Sequence, residues 1–280
     1  MRRSGSRQRA SALVLTGAVL VTMLAARPST AEDAPLWPDR QEIEHFLKKA
    51  KVTERKEIGA GVTHPEKVTL ELDGTIRHAV FKKIDEPLDN WRNEAAAYEL
   101  DKLFGLGMVP PTVDRSVGGR QCCLQLWVTG STMDEYDKGF PDLAGWRDQV
   151  SVMWLFDDLI ANVDRHLNNA MVSPEGRLIL IDNSRAFRDS EELQNGLNAK
   201  VVGTNTRFWG VEYDALRRRF PTRYPRRLVE RLRTVPDRDV KDAVDRYVWG
   251  WRQKVLLDRR RHILALVDAM GVEALRGEDR

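Results

Sequence analysis

The sequence predicts an α+β protein of two lobes, because strand-like segments dominate its first third and helical segments dominate the remainder. Its 280 residues suffice for one large domain or two small ones. Apolar residues make up 42% and charged residues 31% of the chain. This balance allows a substantial core and excludes a disordered, collagenous or multispan membrane protein.

Residues 1–31 have the layout of a secretory signal peptide. A basic start (1–10) precedes an apolar run (11–26), and small residues stand just before Glu32. The apolar run is short for a membrane-spanning helix, which needs about 20 residues, although an uncleaved anchor is the alternative. In either case we expect the rest of the chain to be exported to a periplasm, a secretory lumen or the outside. Contact with a membrane is expected only if the leader is not cleaved.

The positive charge of the chain lies largely in this leader. The whole sequence has a net charge of +3, but without the leader's five Arg it has 40 basic and 42 acidic residues, a net charge of −2. We therefore expect no nucleic-acid partner. A run of eight Arg against one acid over residues 217–233, here named the Arg cluster, either docks an acidic partner or is a solvated helix face.

The first third begins with a linker and a short amphipathic helix over residues 32–54. The apolar side of this helix consists of Ile43, Phe46 and Leu47. Strands over 67–72 and 75–81 follow, and Asp73-Gly74 between them is a strong hairpin signal. This pattern indicates a small antiparallel sheet.

A second helix and an apolar strand complete this part of the chain. Residues 91–104 are rich in Ala, Leu and Glu and end at Gly105, which is typical of a helix and its C-cap. Residues 121–128 read as a buried strand that contains the two cysteines, Cys122 and Cys123. We expect two buried thiols there, the alternative being a strained vicinal disulfide.

Helices dominate the remaining chain. Residues 146–162 form a long helical segment, a hairpin over 170–181 interrupts the pattern, and a helical tail covers roughly 210–275. The segment 188–210 contains no recognisable sequence motif. The sequence therefore assigns the sheet to one lobe and most of the helices to the other.

The segment around Asp164 carries the strongest functional signal. Asn169 follows Asp164 by five residues, and the apolar strand 178–181 leads directly into Asp182. Phosphoryl transfer uses such a set: one carboxylate orients the acceptor hydroxyl, while an amide and a second carboxylate hold metal ions on the triphosphate. Protein kinases have the same spacing and the same strand-end Asp. An Asp-Arg-His run alone would indicate only a polar loop with local ion pairs.

The strand-rich third supplies partners for this chemistry. Lys82 ends a strand and Glu94 opens the next helix, and a Lys held by a helix Glu can reach phosphate oxygens. Lys82 and Lys83 point to opposite faces of the strand, and the apolar residue two positions earlier favours Lys82 without excluding Lys83. The loop with Gly59 and Gly61 lets backbone N–H groups approach phosphates, although any tight turn would use the same residues.

These motifs, taken in order, resemble the secretory-pathway kinases, the family of the Golgi casein kinase, the proteoglycan xylose kinase and the four-jointed protein. The catalytic loop is also similar to that of the phosphatidylinositol 3/4-kinases and, more distantly, to that of the HipA toxin kinase. The resemblance covers roughly residues 55–190. The matching runs are 81–82, 93–103, 108–112, 156–159, 162–166 and 181–183.

The resemblance implies a bilobal, protein-kinase-like fold of the atypical kinases, with an N-lobe over 55–128 and a C-lobe with its helical tail over 129–280. It implies ATP as the phosphate donor and Mg²⁺ or Mn²⁺ as the metal. Lys82 would contact phosphate and Glu94 would pair with it or organise the nucleotide site. Asp164 would be the catalytic carboxylate, with Asn169 and Asp182 as metal ligands.

The resemblance also implies a hinge beside the adenine, formed by residues 125–128 and including Gln125, Trp127 and Val128. Backbone groups of this hinge would hydrogen-bond the base. Asn162, Arg165 and His166 would organise the catalytic loop. The Golgi members carry an acidic residue where this chain has an Asn at the metal site, so the site resembles that of the lipid kinases.

Three functions remain open on the sequence alone. The first is an exported kinase that phosphorylates a hydroxyl of a protein (Ser or Thr) or of a glycan. The second is a pseudokinase that binds nucleotide or an acidic partner, because ATP is scarce outside the cytoplasm, although no catalytic or metal residue is missing. The third is nucleotidyl transfer onto a hydroxyl by the same fold.

Overall fold

The computed structural model of the chain describes residues 36–59, 65–86, 89–137, 146–162, 164–188, 224–271 and 275–276. The expected leader, Gly61 and the segment 189–223, with the first part of the Arg cluster, lie outside these residues. Among the described residues, no helix is both long enough and apolar enough to cross a membrane.

The first lobe is built on one antiparallel sheet. Its elements, in chain order, are α1 (Arg40–Lys49), β1 (Lys51–Glu57), β2 (Glu66–Leu72), β3 (Thr75–Lys82), the two-residue strands β4 (Asp85–Glu86) and β5 (Asp89–Asn90), α2 (Trp91–Phe104), β6 (Thr112–Val117) and β7 (Arg120–Leu126). The sheet has the strand order β1-β2-β3-β7-β6. The apolar side of α1 is buried with residues of β2, β3, β6 and β7 and forms the core of this lobe.

Local sequence signals account for the hairpin between β2 and β3. Asp73 and Gly74 both have positive φ, 49° and 76°, as a tight turn between twisted strands requires. The strands pair from Leu72 opposite Thr75 to Glu66 opposite Phe81. The predicted hairpin is confirmed, and its far end brings Lys82 to the edge of the lobe.

Two strands of this sheet were not predicted. β1 is exposed along almost all its length and β6 contains Asp, Arg and Ser, so neither shows the apolar alternation of a half-buried strand. The predicted strand 121–128 is shorter in the structure, where β7 ends at Leu126. Cys122 and Cys123 on β7 are free and buried, as expected, and burial raises the pKa of the Cys122 thiol to about 11.

Helix α2 has the predicted bounds. The side chain of Asn90 caps its start by accepting the N–H of Arg92 at 2.9 Å, and Gly105 ends it in the left-handed conformation. Small residues let the helix be buried on nearly every side, because Ala95, Ala96 and Ala97 allow close neighbours.

The second lobe is helical around a small sheet. Its elements are β8 (Ser131–Thr132), α3 (Met133–Asp137), α4 (Trp146–Ile160), a 3-10 turn (Leu167–Asn169), β9 (Ala170–Val172), β10 (Leu178–Leu180), β11 (Tyr224–Pro225), α5 (Arg226–Thr234), α6 (Asp237–Val244), α7 (Gly250–Met270) and β12 (Leu275–Arg276). β9 pairs with β10, as the predicted hairpin over 170–181 requires, and it also pairs with β8, which was not predicted. The two-lobed α+β fold is confirmed.

Candidate active site

A cleft of about 530 Å³ lies where the edge of the first lobe meets the β9–β10 hairpin. Most of the site residues predicted from the sequence line it, namely Lys82, Gln125, Trp127, Val128, Asp164, Asn169 and Asp182. Glu94 is fully buried and reaches the cleft through its contact with Lys82. Gly59 does not line the cleft, although the preceding Ile58 does, and Gly61 lies outside the described residues.

Lys82 joins the two lobes through two carboxylates. Its Nζ donates to Glu94 Oε1 at 2.5 Å and to Asp182 Oδ1 at 3.1 Å, so a β3 residue bridges helix α2 and the segment after β10. Lys83 lies on the other face of the strand, where its Nζ is 2.6 Å from Glu66 Oε1. The structure therefore brings Lys82, rather than Lys83, to the other candidate residues.

The electrostatics of this triad favour an ionised lysine beside Asp182. Burial alone would lower the pKa of Lys82, but the carboxylates of Asp182 and Glu94 outweigh it and raise the pKa above its ordinary value. The Lys82 ammonium lowers the pKa of Asp182 to about 2. Burial raises the pKa of Glu94, a shift that Lys82 opposes. Asp182 is therefore a carboxylate at any physiological pH.

Asp164 and Asn169 lie on one short loop that is folded back on itself. The Asn169 side chain donates to the carbonyl of Asp164 at 2.8 Å, and the backbone N–H of Asp164 donates to Asn162 Oδ1 at 3.2 Å. The ring Nδ1 of His166 accepts the backbone N–H of Asn168 at 3.3 Å. These bonds hold the backbone on both sides of Asp164, whose carboxylate is about one third exposed at 33%.

Arg165 fastens this loop to the rest of the lobe. Its buried guanidinium donates twice to the buried carboxylate of Asp157 on α4, at 3.0 and 3.1 Å, and to Asn183 Oδ1 at 2.6 Å. It also donates to the carbonyls of Asn169 and Ile181. One side chain thus connects α4, the Asp164 loop and the segment that holds Asp182.

The segment after β10 is strained at Asp182 and tied to α2. Asp182 has φ 55°, a left-handed conformation that a residue other than Gly adopts at an energetic cost. The side-chain amide of Asn93 donates to the carbonyls of Ser184 and Ala186, at 2.6 and 3.0 Å. The Ser184 hydroxyl donates to Asp182 Oδ1 at 3.3 Å. These contacts, together with the bond from Arg165 to the carbonyl of Ile181, support the position of Asp182 from both sides.

Two charged residues of the cleft, Asp89 and Arg185, were not predicted from the sequence. Arg185 Nη1 lies 3.4 Å from Asp164 Oδ1, and Arg185 Nε lies 3.4 Å from Asp89 Oδ2. Both Asp89 and Arg185 line the cleft. No motif or spacing marked them, because the contacts join three separate parts of the chain.

The expected hinge is only partly available to a base. The N–H of Leu126 donates to the carbonyl of Pro111 at 2.8 Å, and the N–H of Trp127 donates to that of His78 at 2.9 Å. The buried side-chain amide of Gln125 donates to Thr112 Oγ1 at 3.1 Å. A base bound here would have to use other hinge groups than these donors.

The candidate metal ligands suit a cation that arrives with a nucleotide. Asp182 and Asn169 offer oxygen atoms, which Mg²⁺ and Mn²⁺ prefer. Within the described ranges, no group of three or more His, Cys, Asp or Glu is placed to hold a metal ion. Mg²⁺ at a nucleotide site is usually held by one or two protein ligands together with phosphate oxygens and water, and Asp182 and Asn169 could serve as those ligands.

Solved structures of kinases share this fold of two lobes with a cleft where they meet. The solved structure of hydra Fam20 with sugar has a TM-score of 0.55 at 14% identity and covers 82% of this chain and 88% of its own. The Golgi casein kinase has a TM-score of 0.53 at 14% identity, with coverage of 83% and 76%. The Helicobacter pylori proinflammatory kinase CtkA has a TM-score of 0.52 at 14% identity, with coverage of 81% and 98%.

These similarities confirm, at the level of the fold, the resemblance to the secretory-pathway kinases. The sequence itself matches no protein-family model and no curated protein. The structure therefore establishes the fold, and the residues of the cleft are the features that bear on activity.

Proposed function

We propose that this protein is a kinase that transfers the γ-phosphate of ATP to a hydroxyl group. The observation that carries the proposal is the Lys82–Glu94–Asp182 ion-pair triad. Its Lys82 and Asp182 line the same cleft as Asp164 and Asn169. Phosphoryl transfer depends on positioning and charge compensation, and these residues supply both. The kinase structures that share the fold support the same reaction class.

In the proposed reaction the acceptor oxygen forms a bond to the γ-phosphorus while the bond from that phosphorus to the β,γ-bridging oxygen breaks. ADP leaves, and the acceptor's proton passes to the carboxylate of Asp164. Lys82 binds phosphate oxygens and is kept in place by Glu94. Asp182 and Asn169 would hold Mg²⁺ or Mn²⁺, which neutralises phosphate charge when it is bound.

Proteins and glycans are both candidate acceptors. The Golgi neighbour is named as a casein kinase and the hydra neighbour was solved with sugar, so each class merits a test. The leader-like residues 1–31 support export of the enzyme. Fractionation of cells that produce the full chain would check this, and finding the protein only in the cytoplasm would contradict export.

The test compares ATP turnover by the wild-type chain (32–280) and by Asp164→Asn, with Mg²⁺ or Mn²⁺ and with protein and glycan acceptors. We expect Asp164→Asn to lose about 100-fold or more of the turnover and to keep nucleotide binding, because the change removes the proton acceptor and leaves the proposed phosphate-binding residues in place. Asp242→Asn, an exposed change on α6, is the matched control and should behave as wild type.

Product mass separates this proposal from its alternatives. A phosphorylated acceptor supports the kinase, whereas an acceptor that carries AMP would replace it with nucleotidyl transfer. Nucleotide binding without turnover, with every acceptor and either metal, would favour the pseudokinase. Equal turnover by Asp164→Asn and the wild type would remove Asp164 from the mechanism.

A further inference from the structure

We propose that Arg185 is a specificity-determining residue of this cleft, where its guanidinium binds the terminal phosphate of the nucleotide and so distinguishes a triphosphate from a diphosphate. The inference rests on the proposed function, since it concerns the same nucleotide site. It assigns a second phosphate-binding cation beside Lys82, at the end of the cleft that holds Asp164.

The backbone of Arg185 is held in place on both sides. The neighbouring carbonyls, of Ser184 and Ala186, both accept the side-chain amide of Asn93. The N–H of Ala186 donates to the carbonyl of Asn183 at 3.0 Å, and the N–H of Phe187 donates to that of Ile160. The side chain of Arg185 therefore enters the cleft from a backbone that is fixed, so no backbone has to be ordered when a ligand binds.

The guanidinium itself is loosely held. Its contacts with Asp164 and Asp89 are both 3.4 Å, longer than the 2.7–2.9 Å of a strong ionic hydrogen bond. Its side chain is 34% exposed. An Arg fork carries five N–H donors and matches phosphate geometry, so these two long contacts leave it able to accept an anion.

Charge balance explains why a cation is needed at this place. A terminal phosphate about to be transferred must lie next to Asp164, and the carboxylates of Asp164 and Asp89 both repel it. Lys82 is paired with Glu94 and Asp182 rather than with either of these carboxylates. Among the described residues, Arg185 is the cation paired with Asp164, and it offsets this repulsion. ADP has no phosphate at that position, so its binding does not depend on Arg185.

The test measures the binding of Mg²⁺–ADP and of Mg²⁺ with a non-hydrolysable ATP analogue by calorimetry. Arg185→Met should weaken the affinity for the triphosphate analogue at least about tenfold and change that for ADP by less than about threefold. Arg185→Lys should lie between wild type and Arg185→Met, because an ammonium keeps the charge and loses the fork. Arg238→Met on α6, an exposed Arg outside the cleft, is the control and should match the wild type.

If Arg185→Met loses equal affinity for ADP and for the triphosphate analogue, or loses affinity for neither, the role of Arg185 is overturned and the kinase proposal stays intact. Failure of the wild type to bind either nucleotide would overturn both proposals. A second readout is rescue of turnover in Arg185→Met by added guanidinium, which a purely structural residue would not show. Thermal unfolding of each variant checks that the fold is kept.

Discussion

Lys82 and Lys83 are adjacent in the chain but have different electrostatic surroundings. Lys82 is 15% exposed and bridges two carboxylates from other parts of the chain, whereas Lys83 is 34% exposed and pairs with Glu66 on the neighbouring strand. A pair at the surface contributes little to function or stability, while a buried cation fixed by two anions can bind phosphate in a defined position.

Lys82→Met should therefore reduce ATP turnover by about 100-fold or more, because a fixed positive charge on the phosphates is lost. Lys83→Met is the matched control and should stay within about threefold of the wild type. Steady-state kinetics at saturating ATP checks both. A larger loss from Lys83→Met than from Lys82→Met would show that the wrong lysine has been assigned.

The carboxylate of Asp182 should make stability depend on pH. Its pKa is lowered to about 2, below its ordinary value of 3.8, so the folded state favours the charged form. The stability from this shift is present above about pH 4 and is lost as the pH falls toward 2. Urea unfolding between pH 5 and pH 2 should show that the free energy of unfolding falls less steeply with falling pH for Asp182→Asn than for the wild type. Parallel pH dependences for the two proteins would contradict the lowered pKa of Asp182.

At the scale of single elements, buried polar groups hold the segments that carry the site. Arg165 connects the Asp164 loop to α4, and Asp101 near the end of α2 connects that helix to the turn that follows it. The Asp101 carboxylate accepts the N–H groups of Gly107, Met108 and Val109 at 3.1, 2.7 and 3.0 Å. It therefore fixes the turn that leads from α2 toward β6.

Asp101→Ala should lower the free energy of unfolding by about 3 kcal/mol, because it leaves three backbone donors without their acceptor. Asp242→Ala on α6 makes the same chemical change at an exposed site and should stay within about 0.5 kcal/mol of the wild type. Chemical denaturation measures both. A loss below about 1 kcal/mol in Asp101→Ala would show that water replaces the carboxylate at little cost.

Elements with strong local signals were predictable and contacts between distant segments were not. The Asp73-Gly74 turn and the Gly105 cap specify the β2–β3 hairpin and α2 through backbone conformation alone. The exposed β1 has no such signal and forms because β2 pairs with it. Lys82, Glu94, Asp164 and Asp182 were found through their spacing and family resemblance, whereas the placement of Arg185 depends on packing that no local pattern encodes.

At the scale of the whole molecule, α2 belongs to both lobes. It contacts β6 and β7 of the sheet, and it also contacts α5 and α6 of the second lobe. Asp114 on β6 makes a further connection, since its carboxylate accepts Tyr247 Oη at 2.9 Å and lies 2.7 Å from Arg246 Nη2. The lobes therefore share a core helix and a polar contact across their junction.

Because α2 is shared, we expect both lobes to unfold in a single transition. Circular dichroism reports mainly helices, and fluorescence reports Trp residues such as Trp91 at the start of α2 and Trp154 on α4. The two probes should give the same midpoint in urea. Two separated midpoints would show that α2 stays folded with one lobe alone.

The two networks of the cleft differ greatly in how far apart their members lie along the chain. The Arg165 network closes within residues 157–183, whereas the bond from Lys82 to Asp182 spans 100 residues. Short-range contacts form early in folding because they close small loops, and long-range contacts form late. The half of the cleft with Asp164 and Asn169 should therefore be organised before the bond from Lys82 to Asp182 forms, so that the complete cleft is among the last parts of the molecule to assemble.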